Sequence, residues 1–312
     1  MTETVDDSVA RVAAGSAAPV AQSRAGLMYG LSAYTMWGVF PLYFHALSHV
    51  PPLVVLCHRI FWSSLFLAVV VSIRGEWGAI RPVLRNRRNI TLLSAGAVLI
   101  ALNWLTFIYS VGSGQVLQAS LGYFINPLLS IALGMIFLHE RLRPWQWVAV
   151  VIALFAVVNL TLRGSGLPWI AVSLAASFGF YGLVRKKVDI NSLHGLLVES
   201  SILLPVAVVV LAMARPRDIS GSTYAILSLS GFITAVPLLC FGAAVRRLQL
   251  STIGFLQYIG PTLQFLVAIT LLHEALDPAK LASFILCWIG IAVYVADSVF
   301  QHSPQTVADE PE

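Results

Sequence analysis

Long apolar runs separated by short polar segments dominate the pattern of this chain. A helix needs about 20 apolar residues to cross the ~30 Å hydrocarbon layer of a bilayer. We count ten such runs and predict ten transmembrane helices, with approximate bounds at 26–46, 52–73, 90–111, 117–138, 144–163, 167–184, 193–213, 223–245, 250–272 and 279–299. The runs are continuously apolar and do not alternate, a pattern that favours helices over the strands of a barrel.

The composition agrees with a protein that is dissolved in lipid. Hydrophobic residues make up 58% of the 312 residues and charged residues only 11%. Soluble domains average about 45–50% apolar and about 25% charged residues, so this chain in water would expose large apolar patches. The three cysteines lie far apart inside apolar runs, without the spacing of metal ligands, and are expected to be buried free thiols.

Basic residues are distributed unevenly between the polar segments. With the N-terminus inside, fourteen of the 19 Lys and Arg residues fall in inside segments, four fall in outside segments, and Arg59 lies within a run. Lys and Arg are enriched in cytoplasmic loops of membrane proteins. The distribution therefore predicts that both termini are cytoplasmic.

A repeated pattern divides the chain into two halves. Pro127 precedes Glu140 by the same interval that separates Pro261 from Glu274, and a His-Glu pair ends both copies. We predict a disordered tail at 1–25, a five-helix repeat at 26–163, a linker at 164–166, a second five-helix repeat at 167–299 and a tail at 300–312. Because each half contains an odd number of helices, the halves must be inverted relative to each other. Such inverted repeats are common in secondary transporters.

Several motifs resemble those of a known family. The segments at 120–127, 180–187 and 257–262, together with the paired His-Glu ends, resemble the RarD-type transporters of the EamA group, within the drug/metabolite transporter superfamily. The resemblance extends over about residues 26–299. It implies two EamA repeats of five helices, residence in the bacterial cytoplasmic membrane, transport without ATP hydrolysis and a link to chloramphenicol sensitivity. The natural substrate does not follow from it, since relatives export amino acids and other metabolites.

Two charged residues lie deep in predicted spans. Arg59 is about 7 residues into the second span, ~10 Å below the surface at 1.5 Å per residue. Glu199 occupies a mirrored depth in the seventh span, measured from the opposite surface. A charge at this depth costs about 2.5–3.5 kcal/mol, which makes both residues candidates for function. We expect Arg59 to bind an anionic solute and Glu199 to bind solute or exchange a proton, with a direct salt bridge between them left open. Structural anchoring is the alternative for each.

Other polar residues in the spans are further candidates. His58 could carry a proton, although an interhelical hydrogen bond is the simpler role. Pro127 and Pro261 predict kinks near mid-membrane in the fourth and ninth spans. The neighbouring polar residues Tyr123, Asn126, Gln257 and Tyr258 would then line a solute cavity, unless these helices are merely kinked and closely packed. Weaker candidates of the same kind are Trp37, Tyr43, Asn103, Trp104 and Tyr109.

Other classes of protein find less support in the sequence. An intramembrane protease would need a serine with a histidine base, and a metalloenzyme would need a second histidine beside His139-Glu140 or His273-Glu274. Neither pattern occurs, so an enzyme is not expected; a channel remains as an alternative to a carrier. The expected partners are a small-molecule solute and the lipid bilayer, with a homodimer left open. No nucleic acid, metal or cofactor is expected.

Overall fold

The structure, a computed structural model, describes residues 6–138, 144–163, 168–188, 190–214, 219–245, 247, 256–276 and 278–300. Every regular element in these ranges is a helix. In chain order the twelve helices are α1 Asp6–His45, α2 Pro52–Arg74, α3 Trp77–Arg85, α4 Arg87–Gly112, α5 Val116–Leu138, α6 Pro144–Arg163, α7 Trp169–Lys186, α8 Ser192–Ala214, α9 Gly221–Ser228, α10 Ser230–Val245, α11 Ile259–Thr270 and α12 Pro278–Phe300.

Four stretches of the described chain are long and apolar enough to cross a membrane: Pro52–Arg74, Arg87–Gly112, Ser192–Ala214 and Gly221–Phe241. Three shorter apolar helical stretches, Trp169–Arg185, Ile259–Thr270 and Leu281–Gly290, accompany them. All seven coincide with predicted spans. The exposed surface of these helices carries large apolar side chains such as Ile73, Val206 and Met213. Such a surface suits contact with lipid, so the chain is a multi-pass membrane protein.

Local chemistry accounts for the departures from the predicted spans. The first helix begins at Asp6, inside the segment that the sequence analysis assigned to a tail, and the alanine-rich composition of this segment favours helix. The predicted inside loop after α2 contains the short helix α3. Its entry is a turn at Gly75, which has φ of 65°, a conformation that glycine adopts without strain. The predicted eighth span is interrupted at Leu229, between α9 and α10.

The predicted kinks take two different forms. The α5 helix continues through Pro127. Pro261 is the third residue of α11, just after a turn at Tyr258. In the first turn of a helix the N–H that proline lacks has no intrahelical partner in any case, so Pro261 fits a helix start better than a mid-helix kink. The Pro261 carbonyl accepts a hydrogen bond of 2.7 Å from the Ser120 hydroxyl of α5.

Contacts between distant parts of the chain hold the bundle together. The most extensive contacts pair α6 with α12, α5 with α7, α2 with α8, α4 with α7, α1 with α10 and α1 with α11. Each of these pairs joins a helix from before residue 164 to one from after residue 167. Two of these contacts depend on a glycine: Gly122 of α5 lies against the backbone of Ala171 in α7, and Gly38 of α1 leaves room for the Leu263 side chain of α11.

Candidate functional site

A buried arginine surrounded by aromatic rings forms the centre of the candidate site. The Arg59 side chain of α2 is 4% exposed. Its guanidinium carbon lies 4.1 Å from the ring centroid of Trp104 in α4, 5.5 Å from that of Phe44 and 5.9 Å from that of Phe40, both in α1. Cation–π contacts of this kind stabilise a desolvated guanidinium. Sequence reasoning named Trp104 only as a weak candidate and did not identify Phe40 or Phe44.

The charge of Arg59 has no carboxylate partner within the described part of the chain. Its Nε atom is buried and likewise finds no hydrogen-bond acceptor there. The hydroxyls of Tyr43 and Tyr123 are near enough to interact electrostatically with the guanidinium. Buried charges in proteins are normally paired or solvated, so an unpaired cation at this depth is available to an anion that is not part of the described chain.

The two tyrosine hydroxyls near Arg59 donate their protons elsewhere. Tyr43 donates to the Ile226 carbonyl at 2.9 Å, and Tyr123 donates to Oδ1 of Asn103 at 3.2 Å. Each hydroxyl oxygen therefore keeps lone pairs that it can direct toward the guanidinium. Asn103 donates in turn to the Leu174 carbonyl and to the Ser177 hydroxyl, both at 3.1 Å. This network fixes α4, α5 and α7 beside the arginine.

The second buried charge has a partner other than the one considered in the sequence analysis. Glu199 of α8 is 1% exposed, and its Oε1 lies 3.5 Å from Nη1 of Arg185 in the last turn of α7. Its Oε2 accepts a hydrogen bond of 3.0 Å from the Tyr181 hydroxyl, one turn earlier on α7. Glu199 therefore pairs with Arg185, and among the described ion pairs there is none between Glu199 and Arg59.

Arg185 is a site residue that sequence reasoning missed. It belongs to the basic run Arg185-Lys186-Lys187 at the end of a span, and it was counted as a loop charge. The long arginine side chain allows a residue near a helix end to reach inward to a buried carboxylate. It passes so close to Gly195 of α8 that a side chain at that position would collide with the guanidinium. Only the helical spacing of Tyr181 and Arg185, four residues apart, could have indicated that they share a face.

A continuous series of rings connects the two charged positions. Phe44 contacts Phe107 at 5.8 Å between ring centroids, Phe107 contacts Tyr123 at 5.8 Å, Tyr123 contacts Phe178 at 6.4 Å and Phe178 contacts Tyr181 at 6.1 Å. The series begins at the rings around Arg59 and ends at the tyrosine bonded to Glu199. Tyr123, Phe178 and Tyr181 are only partly buried.

The remaining predicted residues lie at different places in the bundle. His58 lies in a shallow apolar pocket with Trp62 and Leu211, and its ring contacts that of Tyr224 at 5.8 Å, away from the rings around Arg59. Asn126 is 1% exposed, and its Oδ1 has no described hydrogen-bond partner. Tyr258 stacks on Phe124 of α5 at 6.4 Å, and Gln257 precedes it in the turn before α11. Of the residues predicted from the sequence, the structure thus places Tyr123, and the weaker candidates Trp104 and Tyr43, near Arg59.

Glu274 has a defined structural contact at one end of the bundle. Its Oε1 accepts a hydrogen bond of 2.6 Å from the Val116 N–H and its Oε2 one of 2.9 Å from the Leu117 N–H. These donors belong to the first turn of α5, where N–H groups have no intrahelical acceptor. The carboxylate is presented by a turn after α11 in which His273 has φ of 52°. Glu140, its counterpart in the repeat, lies outside the described residues.

Comparisons with known proteins agree with this architecture. The model of the EamA-like transporter family matches the chain twice, at residues 24–162 and 165–296. RarD of Escherichia coli is 44% identical over 285 residues, which cover 89% of this chain and 96% of that protein. An uncharacterized transporter of Pseudomonas aeruginosa is 43% identical over 284 residues, covering 89% and 95% of the two chains. A solved protein structure with 18% identity has a TM-score of 0.60 and covers 89% of this chain and 99% of its own.

The fold and the relatives define the class: a multi-pass membrane protein of a transporter family. The chain belongs to the EamA-like transporter family, and it is a RarD-type member of it. A more distant relative, 28% identical over 281 residues, is named chloramphenicol-sensitive protein RarD in Pseudomonas aeruginosa.

Proposed function

We propose that the protein is a secondary transporter that moves a small solute across the bacterial cytoplasmic membrane by alternating access. The solute would be a drug, an amino acid or another metabolite, and transport would be coupled to proton exchange at Glu199, with export as the direction. The unpaired Arg59 cation carries the proposal. A transporter that binds its cargo reversibly needs a site that is incomplete without the cargo, and a buried guanidinium without a counter-ion meets this description.

The pattern of helix contacts supports two inverted halves of five spans each. With α3 set aside and α9 and α10 counted as one span, the helices form ten spans. A two-fold relation between the halves exchanges each span with the one five places further along the chain, and the numbering restarts after span 10. The α4–α7 contact, between spans 3 and 6, then becomes a contact between spans 8 and 1, which is the observed α10–α1 contact. The same operation converts α5–α7 into α11–α1 and leaves α6–α12 and α2–α8 unchanged. This exchange is expected of a two-fold axis in the membrane plane between repeats.

Contacts at the ends of the spans support the proposed alternation of the spans between the two surfaces; the proposal that both termini are inside rests on the distribution of basic residues. Val116 and Glu274, both assigned to the outside, lie within hydrogen-bonding distance. His49 and Thr223, also assigned to the outside, are 3.2 Å apart. Glu76 and His194, both assigned to the inside, are 2.9 Å apart. An error of one span anywhere between these residues would put members of such pairs on opposite surfaces.

Proton exchange at Glu199 would act through its ion pair with Arg185. A protonated Glu199 would lose its charge and release Arg185, whereas the ionised form holds α7 to α8 through this pair and through Tyr181. Gly96 of α4 is close enough that a Cβ there would lie 2.9 Å from Oε1 of Glu199. A change in the carboxylate would therefore be felt by α4, which also carries Trp104 beside Arg59.

The proposal is tested by solute flux in proteoliposomes of the full chain with an imposed pH gradient, screened over amino acids, other metabolites and amphenicol drugs. Saturable flux that depends on the gradient is expected; high, non-saturating flux would indicate a channel, and no flux of any solute by correctly inserted protein would contradict the transporter.

Glu199→Gln tests the proton coupling and should abolish the dependence of flux on the pH gradient. Glu76→Gln is the matched control. The Glu76 carboxylate is 33% exposed at the end of the bundle, and this variant should keep the dependence of flux on the pH gradient. Unchanged coupling in Glu199→Gln would exclude Glu199 as the proton carrier.

A further inference from the structure

The surroundings of Arg59 also restrict the chemistry of the cargo, and this inference rests on the proposed function. From the geometry we infer that the cargo is an organic monoanion with an apolar, ring-sized body and without an ammonium group. Its carboxylate would bind Arg59 and its body would lie along the rings toward Tyr123 and Phe178. Three features of the site lead to this class: one unpaired cation, no free carboxylate in its described surroundings, and an aromatic surface between the two charged positions.

The available charge is a single cation. Arg59 carries an unpaired guanidinium among described residues, with its Nε lacking an acceptor. A carboxylate is the planar group that a guanidinium binds through two parallel hydrogen bonds. The rings of Phe40, Phe44 and Trp104 hold the guanidinium without neutralising it. An anionic cargo would therefore supply the missing counter-charge, whereas a neutral or cationic cargo would leave the buried cation uncompensated.

A free carboxylate for an ammonium group is not available in the described surroundings of Arg59. Glu199, the buried carboxylate connected to Arg59 by the series of rings, is already neutralised by Arg185, 3.5 Å from its Oε1, and its Oε2 accepts the Tyr181 hydrogen bond, while Oε1 makes no hydrogen bond within the described residues. The hydroxyl oxygens of Tyr43 and Tyr123, which could accept a hydrogen bond, lie within electrostatic range of the Arg59 cation, so an ammonium group bound there would be close to a like charge. A zwitterion such as an amino acid would thus gain one ion pair at Arg59 and lose the solvation of its ammonium group.

The surface between the two charged positions is aromatic. Tyr123, Phe178 and Tyr181 are partly buried along this stretch, and Phe107, which contacts both Phe44 and Tyr123, is 4% exposed. Aromatic rings contribute favourable contacts to an apolar or aromatic partner that lies edge-to-face or offset against them. A short aliphatic anion would reach Arg59 but leave this surface unused, so ring-bearing anions are expected to bind more tightly.

A panel of four related compounds separates these requirements. In 3-phenylpropanoate the carboxylate and the ring are both present; phenylalanine adds an ammonium group, phenethylamine carries the ammonium group in place of the carboxylate, and propanoate lacks the ring. The neutral 3-phenylpropanol measures partition into the detergent. Binding of radiolabelled 3-phenylpropanoate to the full chain in micelles would be measured by scintillation proximity, with the unlabelled compounds as competitors. We expect 3-phenylpropanoate to compete at least tenfold better than each of the others.

Variants assign the binding to the site. Arg59→Met should reduce affinity for 3-phenylpropanoate at least tenfold, and Arg59→Lys should retain part of it because the charge remains. Trp104→Leu should weaken binding while leaving the charge in place. Arg247→Met is the matched control, because Arg247 is an exposed arginine 5.4 Å from the ring of Tyr29, and its affinity should be unchanged. Correct folding of each variant is checked by its elution as a single species in gel filtration.

The outcomes distinguish this inference from the transporter proposal. Phenylalanine competing as well as 3-phenylpropanoate would show that an ammonium group is accommodated, and would overturn the cargo class while leaving transport intact. Binding that persists in Arg59→Met, or a chain that carries out proton-coupled flux yet binds no ring-bearing anion, would also overturn it. Absence of all flux contradicts the proposed function, whatever the binding experiment shows.

Discussion

The carboxylate of Glu274 accepts hydrogen bonds from the backbone N–H of Val116 at 2.6 Å and from the next N–H of the same helix at 2.9 Å. A residue that follows α11 thus caps α5. Helix N-termini favour a negative charge because their N–H groups are unpaired and the helix dipole is positive there. The His-Glu pair in the second repeat therefore fastens one half of the chain to the other.

Removal of this cap should lower stability. We expect Glu274→Ala to reduce the free energy of unfolding by about 1–2 kcal/mol, because two N–H donors lose a charged acceptor. Glu274→Gln should cost less, since one oxygen can still accept. Thermal unfolding of the purified protein in micelles measures both, and Ala275→Ser at the exposed neighbouring position serves as a control. Equal midpoints for Glu274→Ala and wild type would show that water replaces the carboxylate.

The two buried arginines should respond oppositely to the same substitution. Arg185→Met leaves Glu199 buried without its cationic partner and should destabilise the protein by about 2–3 kcal/mol, reduced from the fully buried case because Arg185 is 18% exposed. Arg59→Met removes a cation that has no described counter-ion, so the midpoint of thermal unfolding should be unchanged or raised. The double variant Arg185→Met/Glu199→Gln should recover part of the loss. A large drop in stability from Arg59→Met would instead point to a structural role.

Close contact between α5 and α7 should make one glycine irreplaceable. A Cβ on Gly122 would lie 2.7 Å from the Ala171 carbonyl oxygen and 2.9 Å from its Cα, both backbone atoms that cannot move independently of α7. Gly122→Ala should therefore lower the yield of folded protein and its unfolding temperature. Gly182→Ala on α7 is the matched control: a Cβ there meets nothing within 4 Å, and alanine should stabilise the helix by up to about 1 kcal/mol. Equal effects at the two positions would contradict the packing described.

A methyl group beside Glu199 should impair transport more than folding. A Cβ on Gly96 would lie 2.9 Å from Oε1 of Glu199 and 3.6 Å from the ring of Tyr181. Gly96→Ala would push the carboxylate toward Arg185 and hinder its release. We expect at least a severalfold loss of proton-coupled flux in proteoliposomes, with nearly normal yield, whereas Gly182→Ala should transport normally. Unaltered flux in Gly96→Ala would show that the carboxylate has room to move.

The sequence allowed most of the fold to be predicted because lipid imposes simple rules. Apolar length marks each span and basic residues mark its ends, so most described helices after residue 26 have bounds within a few residues of the predicted ones. The exceptions are α3, which was not predicted, and α11, which begins at Ile259 inside the predicted span 250–272. Breaks inside a span were harder. Ser230-Gly231 follow the interruption at Leu229, and Gly260-Pro261 follow the turn at Tyr258 closely; such residues break helices, but they do not change the apolar character of the runs by which the spans were located.

The candidate site was predicted only in part, for a physical reason. Arg59 and Glu199 are conspicuous because a charge is rare in an apolar run, but their partners are determined by tertiary packing. The rings around Arg59 come from α1 and α4, where aromatic residues are too common to single out. The partner of Glu199 is one of three adjacent basic residues at a span end, and only the packed bundle shows which of them points inward.

The six most extensive helix contacts all cross between the halves of the chain, and this has a consequence for biosynthesis. During synthesis, α4 and α5 enter the bilayer before α7, their main partner, has been made. Likewise α1 can form its main contacts only after α10 and α11 have been made. Until those helices are inserted, the helices of the first half have only their less extensive contacts with one another. Neither half can complete its packing alone, so assembly is a late event that begins after residue 167 has been synthesised. A stop codon in the linker would leave inserted helices rather than a smaller folded protein.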